Sequence, residues 1–270
     1  MKIPFLCLLV SLCYTPSLAC AQETSNSSSA QSDSDKQSDK TIQTDRPGFA
    51  NSTGIVPRGH IQLESGATAA RSGNDRSYSF GQLLVRVPVS KRAEARIGVP
   101  SFLVSRSGGT RTTGADNLFL EGKYQFSSSK HATYAILVNE ILPTGSPRVT
   151  TSKAEPGFNL AADYTFSDAL GLTLNLGELR VANVASTGAT SHSDDLFGAA
   201  SLNFTLSPKL GAFSELYAIG GDGPTQKYLD GGFTYLLGSR TQLDASAGVG
   251  LGNHAGGPDY FYGLGISRLF

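Results

Sequence analysis

The chain has 270 residues, with 22 Lys+Arg against 22 Asp+Glu, only 16% charged residues, 31 Gly and no Trp. This balance excludes non-specific nucleic-acid binding, which needs surplus cations to displace the counterions of phosphates. Charge below the usual quarter of residues, with Gly above its usual share, also departs from an ordinary soluble α/β enzyme.

The N-terminus reads as a Sec export signal over residues 1–21. Lys2 is its positive end, Ile3 to Tyr14 its apolar stretch, and Ala19-Cys20-Ala21 an A-x-A cleavage site before Gln22. Cys7, Cys13 and Cys20 all lie in it, so cleavage after Ala21 leaves no disulfide, zinc site or cysteine nucleophile. Ser17-Leu18-Ala19-Cys20 also approaches a lipobox, but Ser17 stands where Leu is expected, which favours plain cleavage over lipidation at Cys20. Residues 22–40 are almost wholly Ser, Asp, Gln, Asn and Lys. They offer too little apolar surface to offset chain entropy and are expected to form a disordered linker. Residues 41–59 form a further segment in which Pro47, Gly48, Gly54 and Pro57 preclude a long helix or strand.

From His60 onward apolar residues alternate with small or polar ones. In 240–251, Leu243, Ala245, Ala247 and Val249 oppose Gln242, Asp244, Ser246 and Gly248, and a period of two means strand. Segments near 60–70, 78–88, 93–102, 116–127, 131–142, 156–167, 169–182, 194–206, 209–219, 226–237, 240–252 and 258–270 share the pattern. Tight links at Ser90-Lys91-Arg92, Ser127 to Lys130, Ser167-Asp168, Ser207-Pro208 and Gly238-Ser239 alternate with longer polar ones at Leu103 to Ala115, Pro143 to Glu155 and Asn183 to Ser193. An even number of strands about ten residues long, with short turns on one side and long loops on the other, predicts an all-β fold. The expected architecture over 60–270 is a closed, antiparallel outer-membrane barrel of about twelve strands, since a sheet in lipid must leave no unpaired edge. The chain ends in Phe270 in register with Tyr260, Tyr262, Leu264 and Ile266, which resembles the C-terminal signal read by the barrel assembly machinery.

Alternation alone also fits a soluble sandwich, so the polar face decides. It carries spaced single charges among Gly, Ser and Thr, and the expected lumen-facing residues are Glu64, Arg86, Glu94, Arg96, Glu121, Lys123, Asp163, Glu215, Asp230 and Asp244. Mixed signs in a narrow lumen are expected to pair, because partly desolvated charges without partners are costly. With no Trp, Tyr124, Tyr134, Tyr164, Tyr235, Tyr260 and Tyr262 are expected to form the interfacial aromatic girdles.

Several stretches together resemble one known family. They are Thr44-Asp45-Arg46-Pro47, Val56 to Gly66, Leu84-Val85-Arg86-Val87, Ala93 to Val99, Gly114-Ala115-Asp116-Asn117 with Gly122-Lys123-Tyr124, and Leu142-Pro143-Thr144-Gly145. Over residues 41–270 the chain resembles the outer-membrane transporter family of the "MetA-pathway of phenol degradation". The resemblance implies a β-barrel channel for small organic compounds and brings no catalytic residues. The segment holding Thr44, Asp45, Arg46 and Pro47 either folds into the barrel mouth or caps its rim. In the mouth, Arg46 would meet Glu64, Glu94 or Glu121, and Asp45 would meet Arg86 or Arg96.

No catalytic, cofactor or metal residue is assigned. Ser127 to Lys130 matches S-x-x-K without its companion motifs, no helix follows the alternate glycines 248–252, and His60, His131, His192 and His254 lack ligand spacing. The expected function is passive passage of small aromatic or hydrophobic solutes through the outer membrane, with lipid and solute as partners and no nucleic acid. A structural or surface-binding barrel is the alternative reading. An outer-membrane hydrolase is the third, although His192-Ser193 is poorly arranged as base and nucleophile because neighbours on a strand face opposite sides.

Overall fold

The computed structural model describes residues 41–151, 153–184, 190–221, 223–252 and 257–270. The export signal with Cys20 and the polar linker 22–40 lie outside the described residues.

Fifteen strand segments follow in order. They are β1 (Gln62–Ser72), β2 (Asp75–Phe80), β3 (Leu83–Pro88), β4 (Ala93–Val99), β5 (Phe102–Ser107), β6 (Thr110–Ala115), β7 (Leu118–Ser128), β8 (Ala132–Leu142), β9 (Glu155–Ser167), β10 (Leu170–Val184), β11 (Thr190–Ser207), β12 (Leu210–Gly220), β13 (Gln226–Leu236), β14 (Thr241–Gly250) and β15 (Tyr260–Leu269). Three pairs are single strands broken at one point: β2 with β3 at Gly81-Gln82, β4 with β5 at Pro100-Ser101, and β6 with β7 at Asp116-Asn117. Gly81 has φ of 69°, which L side chains disfavour, and Pro100 has no N–H for a ladder. Counted this way, twelve antiparallel strands run round the barrel, and β15 closes on β1 from Gln62↔Leu269 to Arg71↔Tyr260.

The sequence-based outline needs two corrections. Leu103 to Ala115, expected as a long loop, is the β5–β6 hairpin, with Phe102 opposite Ala115 and Ser107 opposite Thr110. Its alternation is masked by Arg106, Arg111 and the turn glycines Gly108 and Gly109, both at positive φ. The expected link at Asn183 to Ser193 is also partly strand, since Asn183↔Ser191 and Val184↔Thr190 pair.

The barrel is inside-out relative to a soluble protein. Leu264 is 66% exposed and Val138 57% on the outer wall, whereas Arg86 and Lys123 are each 1% exposed on the inner one. Apolar surface of that extent needs lipid against it. Tyr124, Tyr235, Tyr260 and Tyr262 are exposed on this wall, and the Tyr134 and Tyr164 hydroxyls meet at 3.1 Å. Arg268, on the same face, donates to Thr241 Oγ1 and lies 5.9 Å over the Phe270 ring.

Candidate functional site

The lumen is entered by residues 41–60 from the side of the short turns. The Ile42 N–H donates to Ser239 O at 2.8 Å on the way in, and His60 Nδ1 lies 2.8 Å from Phe270 O on the way out. Ile42 and Val56, one from each limb, pack with Leu269 and Leu236 at this mouth. The loop reaches its deepest point near Pro47 to Ala50, where Ala50 joins Tyr217, Tyr228 and Ala199 in a buried cluster. The Arg46–Pro47 peptide bond is cis.

A chain without ladder partners must find acceptors for its backbone N–H groups elsewhere, and the barrel's inward side chains supply them. Glu64 accepts from Asp45 N at 3.1 Å, and Glu215 from Phe49 N at 2.5 Å and Ala50 N at 2.7 Å. Further down, Asn175 accepts from Asn51 N, Asp163 from Thr53 N, and Glu94 from Val56 N, at 2.7, 2.7 and 2.8 Å. Glu215, Asn175, Asp163 and Glu94 stand on β12, β10, β9 and β4, so the returning limb is held round much of the circumference. Glu64, Glu94, Asp163 and Glu215 carry this duty, and with Glu121, Asp230 and Asp244 they outnumber the wall cations Arg86, Arg96 and Lys123.

Charge pairing is densest on β1, β3, β4 and β7. Register sets Glu94 opposite Lys123 and Arg96 opposite Glu121, and Arg96 Nη1 reaches Glu121 Oε1 at 2.5 Å. Arg86 bonds Glu64 at 2.8 Å and Glu94 at 2.9 Å. Into this lattice the loop inserts Asp45, whose Oδ2 lies 2.8 Å from Lys123 Nζ, 3.0 Å from Arg96 Nη2 and 3.3 Å from Arg86 Nη1. Its other oxygen accepts from Ser52 N and Oγ, which ties the loop's two limbs together. Arg46 does not meet Glu64, Glu94 or Glu121. Its guanidinium turns across the lumen to Asp244 at 3.3 Å, to Gln82 and to Leu264 O, because Gly66 and Gly265 leave a slot there. Thr44 accepts from Gln242 at 2.6 Å, and Pro47 helps form the floor of a cavity above.

That cavity lies on the far side of the loop tip from the short turns. Arg46, Pro47 and Phe49 form its floor, with Tyr217, Phe261, Leu103 and Val149 as apolar lining and Ser77, Ser79, Gln82 and Asp230 as polar lining. Phe49 stacks on Tyr217 with centroids 4.3 Å apart and planes 3° apart, and meets Phe197 edge-on at 5.7 Å. Gly248 leaves room for the neighbouring Phe261 ring, which a Cβ there would strike. Asp230 is 5% exposed, and its Oδ1 has no hydrogen-bond partner among the described residues. All ten charges read from sequence as lumen-facing lie on the inner wall, and Glu121 and Asp163 are partly buried there. Sequence reasoning missed the neutral half of the lining, notably Gln62, Asn175, Gln242, Phe49, Tyr217, Tyr228 and Phe261. Inward parity with the charged positions was the available signal for those on strands. Among the described residues no group of His, Cys, Asp or Glu is arranged to hold a metal.

Comparison with known proteins agrees with this geometry. The family model described as "MetA-pathway of phenol degradation" matches residues 44–269. The chain belongs to this family. Among solved structures it is similar to the COG4313 outer membrane channel from Pseudomonas putida F1, with a TM-score of 0.68 at 14% identity over 83% of this chain and 99% of that one. The KdgM porin gives 0.54 at 10% identity over 77% and 99%, and the NanC porin 0.52 at 9% over 77% and 98%. At such identities the likeness is one of fold. No curated protein matches the chain. This member of the family is thus an outer-membrane, porin-like barrel of twelve strands with its lumen occupied by its own N-terminal segment.

Proposed function

We propose that the protein is a passive conduit for small solutes with an aromatic or apolar body and one polar end, and that residues 41–60 gate it. The cavity above the loop tip carries this reading. Its walls combine aromatic faces with a few converging polar groups, among them the Asp230 carboxyl, which stands opposite Glu215. The family's description points to aromatic compounds, which agrees with the stacked Phe49 and Tyr217 at the floor. The reading includes no catalytic step and no energy coupling, so flux follows the solute gradient. It also includes removal of the export signal after Ala21 and insertion by the barrel assembly machinery through the strand ending in Phe270.

Liposome swelling with phenols, fatty acids and sugars, run on the mature chain and on a variant lacking residues 41–57, tests the proposal. Faster entry of phenols than of sugars of equal size, accelerated by the deletion, is the expected result. Equal exclusion of every solute by both proteins would instead favour a closed barrel that binds partners through its outer loops. The mass of the purified protein's N-terminal peptide tests the cleavage site.

A further inference from the structure

On the outer wall, at the end of the barrel away from the Ser90-Lys91-Arg92 and Gly238-Ser239 turns, four arginines occupy one cross-strand row. Arg71 on β1 is opposite Arg76 on β2, Arg76 is opposite Arg106 on β5, and Arg106 is opposite Arg111 on β6. Two residues back along the same strands lie Ala69, Tyr78, Val104 and Thr113, and two further back Ala67, Phe80, Phe102 and Ala115. Residues two apart on a strand share a face, and Phe80 and Phe102, 47% and 51% exposed, identify that face as the outer one. Arg76, Arg106 and Arg111 are exposed; Arg71 is half-buried and donates from Nε to Gly73 O at 2.7 Å. Among the described residues none of the four is in an ion pair.

Like charges set directly opposite one another destabilise a sheet, so four in a row with no ion pair among the described residues, and with only Asp259 bordering the Arg71 end through Gly73, call for an anion. The height of the row says which kind. From Ile61 to Arg71, about ten residues of strand tilted by roughly 40° rise about 25 Å, the thickness of the apolar band of such barrels. The row therefore lies at the outer-leaflet headgroups, with Tyr78, Phe80 and Phe102 beneath it at acyl-chain depth. Its width, three interstrand gaps of about 4.8 Å, spans roughly 14 Å. That exceeds one inorganic anion and fits two phosphates carried apart on a sugar headgroup. Guanidinium forks match phosphate oxygens better than any other side chain.

We propose that Arg71, Arg76, Arg106 and Arg111 form a binding site for the phosphorylated glycolipid of the outer leaflet, its phosphates on the arginine row and its acyl chains on Phe80 and Phe102. The site faces away from the lumen and stands whether or not the barrel conducts.

The test uses the purified full-length mature chain in detergent, with bis-phosphorylated lipid A, dephosphorylated lipid A and inorganic pyrophosphate as probes, and binding read by native mass spectrometry. Wild type is expected to bind the bis-phosphorylated form at least tenfold more tightly than the dephosphorylated one. R76Q/R106Q should lose that preference, while K91Q/R92Q at the short-turn side should retain it. Heat-modifiable gel migration establishes that each variant is folded. Equal binding of the two lipid forms, or a preference that survives in folded R76Q/R106Q, overturns the proposal. Complete displacement by pyrophosphate at equal concentration assigns the row to a soluble anion and overturns it too.

Discussion

Arg86 and Arg96 stand directly opposite each other on β3 and β4, both side chains 1% exposed, and the Asp45 carboxylate of the inserted segment lies within 3.3 Å of one and 3.0 Å of the other. Two cations facing each other across a ladder repel, more strongly where water is excluded. Glu64, Glu94 and Glu121 of the wall offset part of that repulsion, and the segment brings a further anion between the two guanidiniums. Lys123, 2.8 Å from the same oxygen, adds a third cation. Replacing Asp45 by Lys would put a fourth cation among these three. Single-channel recording of Asp45→Lys should show conductance several-fold above wild type and equal to that of a variant lacking residues 41–57. Wild-type conductance in both would dismiss the segment as a barrier.

The same cluster sets an acid limit. Burial by itself raises the Asp45 carboxyl, but attraction to Arg86, Lys123 and Arg96 outweighs it and holds the group below the ordinary carboxylate range. A depressed folded-state value means that the Asp45 contribution is fully present above the unfolded value of about 3.9 and lost only as pH falls well below it. Limited proteolysis of the segment should accordingly show no Asp45-dependent change between pH 8 and pH 5. A difference between wild type and Asp45→Asn that vanishes near pH 6 would contradict this assignment.

Arg46 offers a test of a different kind. Gly66 and Gly265 pair across the closing seam of β1 and β15, and a Cβ at either would fall on the Arg46 guanidinium. Gly66→Leu should therefore press on Leu264 O, push Arg46 off Asp244 and leave a buried carboxylate without its cation, the last at a cost of about 3 kcal/mol. Arg46→Ala breaks the same pair from the other side. If the slot exists for Arg46, the double variant unfolds in denaturant with much less than the summed loss, whereas full additivity would mean that Gly66 acts independently.

The barrel was legible because its two constraints are periodic. Alternation reports which residues face lipid, and turns such as Ser167-Asp168 mark where strands reverse. Both survive without knowledge of neighbours. The β5–β6 hairpin was hidden because Arg106 and Arg111 sit on a face that is apolar lower down, so the period broke at the membrane boundary where the environment changes. The charged lining was legible for the same reason as the strands. The attraction of inward acids and bases points Asp45 to Arg86 and Arg96 from sequence alone; Arg46 goes to Asp244 because of space left by Gly66 and Gly265, and spacing in one strand says nothing about a gap shared by two. Tyr217 is hidden because an inward aromatic and a girdle aromatic have the same side chain and differ only in parity, and Phe49, in the inserted segment, has no strand parity to read.

Phe49 separates the gate from the binding surface. Its ring lies parallel to Tyr217 at the cavity floor, while its backbone N–H is held by Glu215 independently of the side chain. Truncation in Phe49→Ala should thus leave the segment anchored through Asp45, Asp163 and Glu94 and change ion conductance less than twofold. The cavity, however, loses a stacking face of the kind worth about 0.5–1.5 kcal/mol, so affinity for an aromatic solute should fall about threefold to tenfold, with an aliphatic solute of equal size affected less. Calorimetric titration of the detergent-solubilised protein with a phenol and with cyclohexanol measures the difference. An equal loss for both would mean that the ring only fills space. A conductance rise as large as that of Asp45→Lys would mean that the tip and the charged cluster hold the segment together as one lock.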